Sequence, residues 1–103
     1  MSRWKYAERR IGQLQGGKRV PITGRSRGDV LDIQPGPRWE WLASEVKNRQ
    51  VVPGFLLDGM AQAKAGAKPD QLPVVILHKV GQPYSKSLVC IEWADFAEWF
   101  GNG

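Results

Sequence analysis

Cysteine and histidine are almost missing from this sequence: Cys90 and His78 are the sole examples of each. One cysteine excludes an internal disulfide and a multi-cysteine zinc site, and one histidine argues against a His-built metal cage. Long apolar runs are missing too. The longest, Leu72-Pro73-Val74-Val75-Ile76-Leu77, is far below the ~20 residues needed to span a bilayer. The opening residues, Met1-Ser2-Arg3-Trp4-Lys5, carry charge and lack the apolar stretch of a secretory signal. The expected compartment is therefore the cytoplasm. No internal repeat, low-complexity tract or linker breaks the chain. At 103 residues, 42% hydrophobic and 24% charged, it reads as a single domain spanning 1–103.

Fifteen Lys and Arg stand against ten Asp and Glu, a net charge of +5. In a small domain this favours a polyanionic partner, although a solvated basic surface is the plainer explanation. The charge is polarised along the chain. Arg19, Arg25, Arg27, Arg38, Lys47 and Arg49 crowd the first half, while Glu92, Asp95 and Glu98 dominate the end.

Apolar and turn-forming residues predict the order α-β-β-β-α-β-β-α. Ser2 caps a first helix running to Leu14 or Gln15, with Trp4, Ala7, Ile11 and Leu14 as its apolar stripe, and Gly16-Gly17 stops it. Lys18 to Thr23 reads as an edge strand because of Pro21. Asp29 to Gln34 and Trp39 to Asn48 read as two strands of a hairpin reversed at Pro35-Gly36-Pro37. Pro53 opens a second helix, Gly54 to Ala67. Pro73 to Val80 reads as a strand buried on both faces, Ser87 to Trp93 as another, and Ala94 to Phe100 as a final helix. The expected fold class is α/β, a mixed central β-sheet flanked by helices.

The hairpin carries the main chemical signal. Alternate residues of a strand share a face, so Glu45 and Lys47 project together while Val46 turns inward. Asp29 lies across the hairpin. Two carboxylates at that separation are hard oxygen ligands suited to Mg²⁺ or Mn²⁺, and a lysine beside them positions a water and stabilises charge on a phosphate. Arg25, Arg27 and Arg49 flank the group with guanidinium forks that suit phosphate. The bland alternative is a surface strand bearing an ordinary Glu and Lys. Asp32 competes with Asp29 for the acidic position, since it also lies on the first hairpin strand. The two differ by an odd number of residues and so face opposite sides of a regular strand. The local Gly28-Asp29-Val30 pattern favours Asp29, and a bulge would reverse that choice.

These stretches resemble the PD-(D/E)XK nuclease superfamily, in particular the small archaeal-type Holliday junction resolvases and their phage-encoded relatives. The likeness rests on Ala7-Glu8-Arg9-Arg10, Gly28-Asp29-Val30, Ser44-Glu45-Val46-Lys47-Asn48-Arg49, Ala61-Gln62-Ala63 and the strand Leu72 to Lys79. It covers nearly the whole chain, and its specificity lies in the ordered set rather than in Glu-x-Lys alone. The resemblance implies a restriction-endonuclease-like core and a divalent metal held by Asp29 and Glu45, with the Val46 carbonyl as a further ligand. It implies that Lys47 positions the attacking water and that Glu8 contributes to the metal site. Gln62 would hold a water or a phosphate near that site. Glu8 as a helix glutamate paired with an arginine, and Gln62 as a satisfied polar edge residue, are the structural alternatives.

The function this implies is metal-dependent, structure-selective cleavage of branched DNA, most simply of four-way junctions, in a bacterial, archaeal or phage-infected cell. A homodimer fits the two-fold symmetry of a junction. Arg25, Arg27, Arg49 and Lys79 are the expected DNA-backbone contacts. A nuclease of the same fold acting on other DNA structures, and a non-catalytic DNA-binding module, are the alternatives. Trp39, Trp41, Trp93 and Trp99 are expected in core or subunit contacts, Cys90 as a small buried hydrophobe, and His78 as a strand-edge residue.

Overall fold

A computed structural model describes residues 3–21 and 31–101 of the chain. It groups into two compact units, Met1–Gln50 and Val51–Gly103, which are taken in turn. Among the described residues there are three α-helices and two small antiparallel sheets, a mixed α/β composition. No helix among them is long and apolar enough to cross a membrane.

The first unit begins with α1, Arg3–Leu14. Gly16, at φ +66°, supplies the left-handed residue that ends it. Strand β1, Lys18–Arg19, pairs antiparallel with β2, Ile33–Gln34, so that Lys18 faces Gln34 and Arg19 faces Ile33. A bond from Val20 N–H to the Asp32 carbonyl, 2.9 Å, extends the pairing. Backbone crosses backbone where α1 turns into β1. A Cβ on Gly17 would fall inside the Gln34 carbonyl, and one on Gly36 inside the Gly16 carbonyl. Gly36 N–H donates to the Gln15 carbonyl at 2.8 Å across the same crossing.

That crossing also changes which face of α1 is buried. The apolar stripe predicts Ala7, Ile11 and Leu14, yet the buried positions are Glu8, Gly12 and Gln15, one helical face at i, i+4 and i+7, and Leu14 is exposed. Gly12 lets the Lys18 backbone approach so closely that an added Cβ would stand 2.9 Å from it. The residues beside this approach go inside whatever their polarity.

The expected hairpin between 29–34 and 39–48 does not form among the described residues, which begin again at Leu31. Strand β2 pairs with β1, and Pro37–Trp39 is a single 3₁₀ turn rather than the start of a strand. Proline fixes φ for such a turn, and the turn carries the Trp39 ring inward. Trp39 and Ile33, each 4% exposed, are the buried apolar side chains among the described residues. Trp41 stays outside, its indole N–H on the Arg38 carbonyl at 3.1 Å.

In the second unit, α2 runs Gly54–Gly66 behind Pro53, close to its expected bounds, and packs on β3, Val75–Leu77. Gly59 of α2 meets the Val75 methyl groups. Strand β3 pairs antiparallel with β4, Leu88–Cys90, and α3, Trp93–Phe100, follows. Trp93, Phe96 and Phe100 form a chain of rings 5.6 and 5.1 Å apart, and Cys90 is half-buried. The expectation that 73–80 is buried on both faces is corrected. Ile76 and its cross-strand partner Val89 are both more than half exposed, because α2 covers the Val75 side of a two-stranded sheet.

Lys64 of α2 reaches Glu92 at 2.9 Å. The hydrogen bond and charge of Glu92 raise the Lys64 pKa above the ordinary lysine value; Asp95 acts in the same direction and desolvation opposes. A raised folded pKa means that the pair's contribution is complete below the ordinary lysine value and is lost as pH rises through the folded one. Glu92→Gln is expected to bring the Lys64 titration back toward the ordinary value, read by NMR of the lysine side chain. For the first unit, Gly17→Ala and Gly36→Ala are each expected to cost about 1–3 kcal/mol, because overpacking must push backbone aside. Denaturant midpoints measure this, and unchanged midpoints would show that the crossing is loose.

Candidate active site

Residues 42–47 form no ladder among the described residues, yet their exposure alternates as in a strand: Leu42, Ser44 and Val46 turn in, and Ala43, Glu45 and Lys47 turn out. The side chains of two neighbouring segments hold this extended stretch in place. Gln15, at the end of α1, donates from Nε2 to Ser44 Oγ at 2.8 Å. Asp32, beside β2, accepts the Val46 N–H on Oδ2 at 2.7 Å. Gln15 and Asp32 are both buried. Glu45 thus lies between two anchored residues, and Lys47 directly follows the second.

Glu45 and Lys47 are 63% and 64% exposed, with 3.8 Å between Oε1 and Nζ. At that distance and exposure the pair is loose, so both groups remain open to a ligand. Glu8 differs: its Oε1 is 2.6 Å from Arg19 Nε, and the carboxylate is buried. Arg19 faces Ile33 across the ladder, so this ion pair sits one residue along from Asp32. Gln15 Oε1 is buried with no partner among the described residues.

The remaining expected site residues are distributed as follows. Asp29, Arg25 and Arg27 lie outside the described residues. Arg49 is exposed and donates to the neighbouring Asn48 carbonyl at 3.1 Å. Gln62 and Lys79 belong to the second unit. Gln62 is exposed on α2, at the margin of a groove of about 560 Å³ that Asp70 and Trp99 also line, and Lys79 is exposed just past β3. Among the described residues, no three His, Cys, Asp or Glu side chains gather as a metal-holding group.

Of Asp29 and Glu45, the two expected metal-binding carboxylates, Glu45 is the described one: it is exposed and beside the Val46 carbonyl, while Asp32 is buried and engaged by the Val46 N–H. An exposed carboxylate beside a carbonyl suits a hard cation such as Mg²⁺, which takes one or two carboxylates and keeps several waters. The anchors Gln15, Ser44 and Arg19 carry no signal in the sequence. Apolar periodicity does not register polar side chains buried on one helix face.

No family model, curated protein or solved structure matches the chain. Its chemistry is therefore read from these residues.

Asp32→Ala is expected to destabilise the fold by about 1–3 kcal/mol, since it leaves a part-buried N–H without its acceptor. Asp32→Asn keeps an amide oxygen for that N–H and is expected to cost less. Thermal or denaturant unfolding of both variants tests this. Equal stability of Asp32→Ala and the parent would remove Asp32 as the anchor of Val46.

Proposed function

We propose that this chain is a metal-dependent, structure-selective DNA endonuclease that hydrolyses phosphodiester bonds in four-way junctions, a Holliday junction resolvase. The observation that supports the reading most is the anchored 44–47 stretch, which offers Glu45 and Lys47 side by side to solvent with the Asp32 carboxylate bound to the peptide between them. The reading carries with it the restriction-endonuclease-like core that the resemblance implies, a homodimer matched to the two-fold symmetry of a junction, and a cytoplasmic setting.

On this reading Asp29 and Glu45 hold Mg²⁺, or Mn²⁺, with the Val46 carbonyl as a further oxygen donor. The bound cation supplies positive charge that lowers the pKa of water and neutralises phosphate. Lys47, with three N–H donors and no acceptor, holds the attacking water and a phosphate oxygen in line. Asp32 keeps Val46 in position, and Glu8 orients Arg19 or adds a carboxylate to the metal site. Arg25, Arg27 and Arg49 grip backbone phosphates without reading sequence, so junction shape selects the substrate.

A second reading, a non-catalytic DNA-binding module, is favoured by one observation: the Glu8 carboxylate is committed to Arg19 rather than held open. One experiment separates the two. Labelled four-way junction and linear duplex are incubated with the protein and Mg²⁺, with and without EDTA. The junction is expected to be cut into paired nicked duplexes, the linear control left whole, and EDTA to stop cutting. Lys47→Ala is expected to bind junction but cut at least about 100-fold more slowly. Asp29→Asn should lose cutting, and Asp32→Asn should keep most of it. Equal cutting by Lys47→Ala and the parent excludes the proposed role for Lys47. Junction binding without cutting by the parent leaves the binding module.

A further inference from the structure

The β3–β4 connection in the second unit carries chemistry that the metal-site reading does not use. His78 and Tyr84 stack with ring centroids 4.0 Å apart and planes 13° from parallel. Tyr84 is 80% exposed, so the ring face away from His78 is open to solvent. The stack is fixed from below. His78 Nε2 lies 2.9 Å from the Gln82 carbonyl, and because a carbonyl only accepts, Nε2 carries the proton and donates. Gly81, at φ +90°, turns the chain back for that contact.

Each ring is followed closely by a cation: Lys79 comes directly after His78, and Lys86 closes the 3₁₀ turn that Tyr84 opens. Both lysines are exposed, and neither forms an ion pair among the described residues. His78, Lys79 and Lys86 border a groove of about 420 Å³ that Phe55, Leu77 and Leu88 also line, and no carboxylate among the described residues lines it. That volume lies within the range of about 300–1,000 Å³ typical of small-ligand sites.

We propose that the Tyr84 ring and the groove beside it, joined to it by His78, bind unpaired, single-stranded DNA: a base stacks on the open face of Tyr84 and the flanking phosphates lie against Lys79 and Lys86. An open aromatic face is sequence-tolerant, since every base has a π-face, and unpaired cations complement a backbone phosphate on either side. A base within a duplex is already stacked on both sides and gains nothing from the tyrosine. The site thus takes strand ends, gaps or bases splayed from a branch. It goes beyond the proposed cleavage chemistry and does not depend on it.

The test reads binding alone. Fluorescence anisotropy of a labelled oligothymidylate is followed in EDTA, where metal-dependent cutting is absent, with a blunt duplex as the comparison. Tyr84→Leu, which keeps bulk but removes the ring, is expected to weaken oligothymidylate binding about 5- to 100-fold, the loss of one base–aromatic stack. Tyr84→Phe should stay within about twofold on the same argument. Replacing Lys79 and Lys86 by Ala should lower the salt-dependence slope by about 0.7 for each lysine. Because the readout is binding in EDTA, where no cleavage occurs, this outcome stays separate from that of the cleavage assay. The proposal is overturned if Tyr84→Leu, folded by circular dichroism, binds as the parent does, or if duplex binds as tightly as single strand. It is also overturned if the variants change self-association while oligothymidylate affinity holds, since the groove would then be a contact between copies.

Discussion

A carboxylate holding a peptide N–H organises the first unit. The stretch 42–47 is extended but has no ladder among the described residues, so its backbone is not fixed by the means that usually keep a strand straight. Asp32 accepts the Val46 N–H instead, and Gln15 donates from Nε2 to the Ser44 hydroxyl oxygen. A hydrogen bond to an ionised acceptor is shorter and stronger than a neutral one, and here it fixes the one peptide whose neighbours on either side are Glu45 and Lys47. Without it, the alternation that presents those two residues on one side would rest on the half-burial of Leu42 and Val46 alone.

The scarcity of apolar core explains why polar contacts carry so much. Ile33 and Trp39 are the buried apolar side chains among the described residues, while Glu8, Gln15 and Asp32 are buried beside them. Buried polar groups are costly unless paired, and strengthen one another where they are. Arg19, Ser44 and the Val46 N–H pair Glu8, Gln15 Nε2 and Asp32, and Gln15 Oε1 is left without a partner among the described residues. On the proposed reading, the same feature would serve a site for a cation and a phosphate. Polar groups held rigidly at the edge of a small core need little rearrangement when charge arrives.

The second unit is built differently, from aromatic contacts along α3, a strand pair with one face on a helix, and a connecting loop that presents rings and lysines outward. Its charge distribution matches the trend along the sequence. Acidic residues gather toward α3, where Glu92 and Asp95 bias Lys64, while Lys79 and Lys86 stand apart from them on the loop side.

Helices α1 and α2, the late strand pair and the terminal helix were legible in the sequence because glycine, proline and apolar spacing act locally. The placing of Val46 inward with Glu45 and Lys47 outward was equally legible, since alternation is a property of any extended chain. Which strand pairs with β2, and which face of α1 is buried, were decided by tertiary structure. Both depend on the backbone crossing at Gly17 and Gly36, a contact between the end of α1 and the later segment 34–36 that no local pattern encodes. For the same reason the sequence showed an acidic residue, a glutamate and a lysine in order, but only the folded chain brought Asp32 onto the Val46 peptide. A hydrogen bond depends on distance in space, and composition and spacing along the chain do not record it.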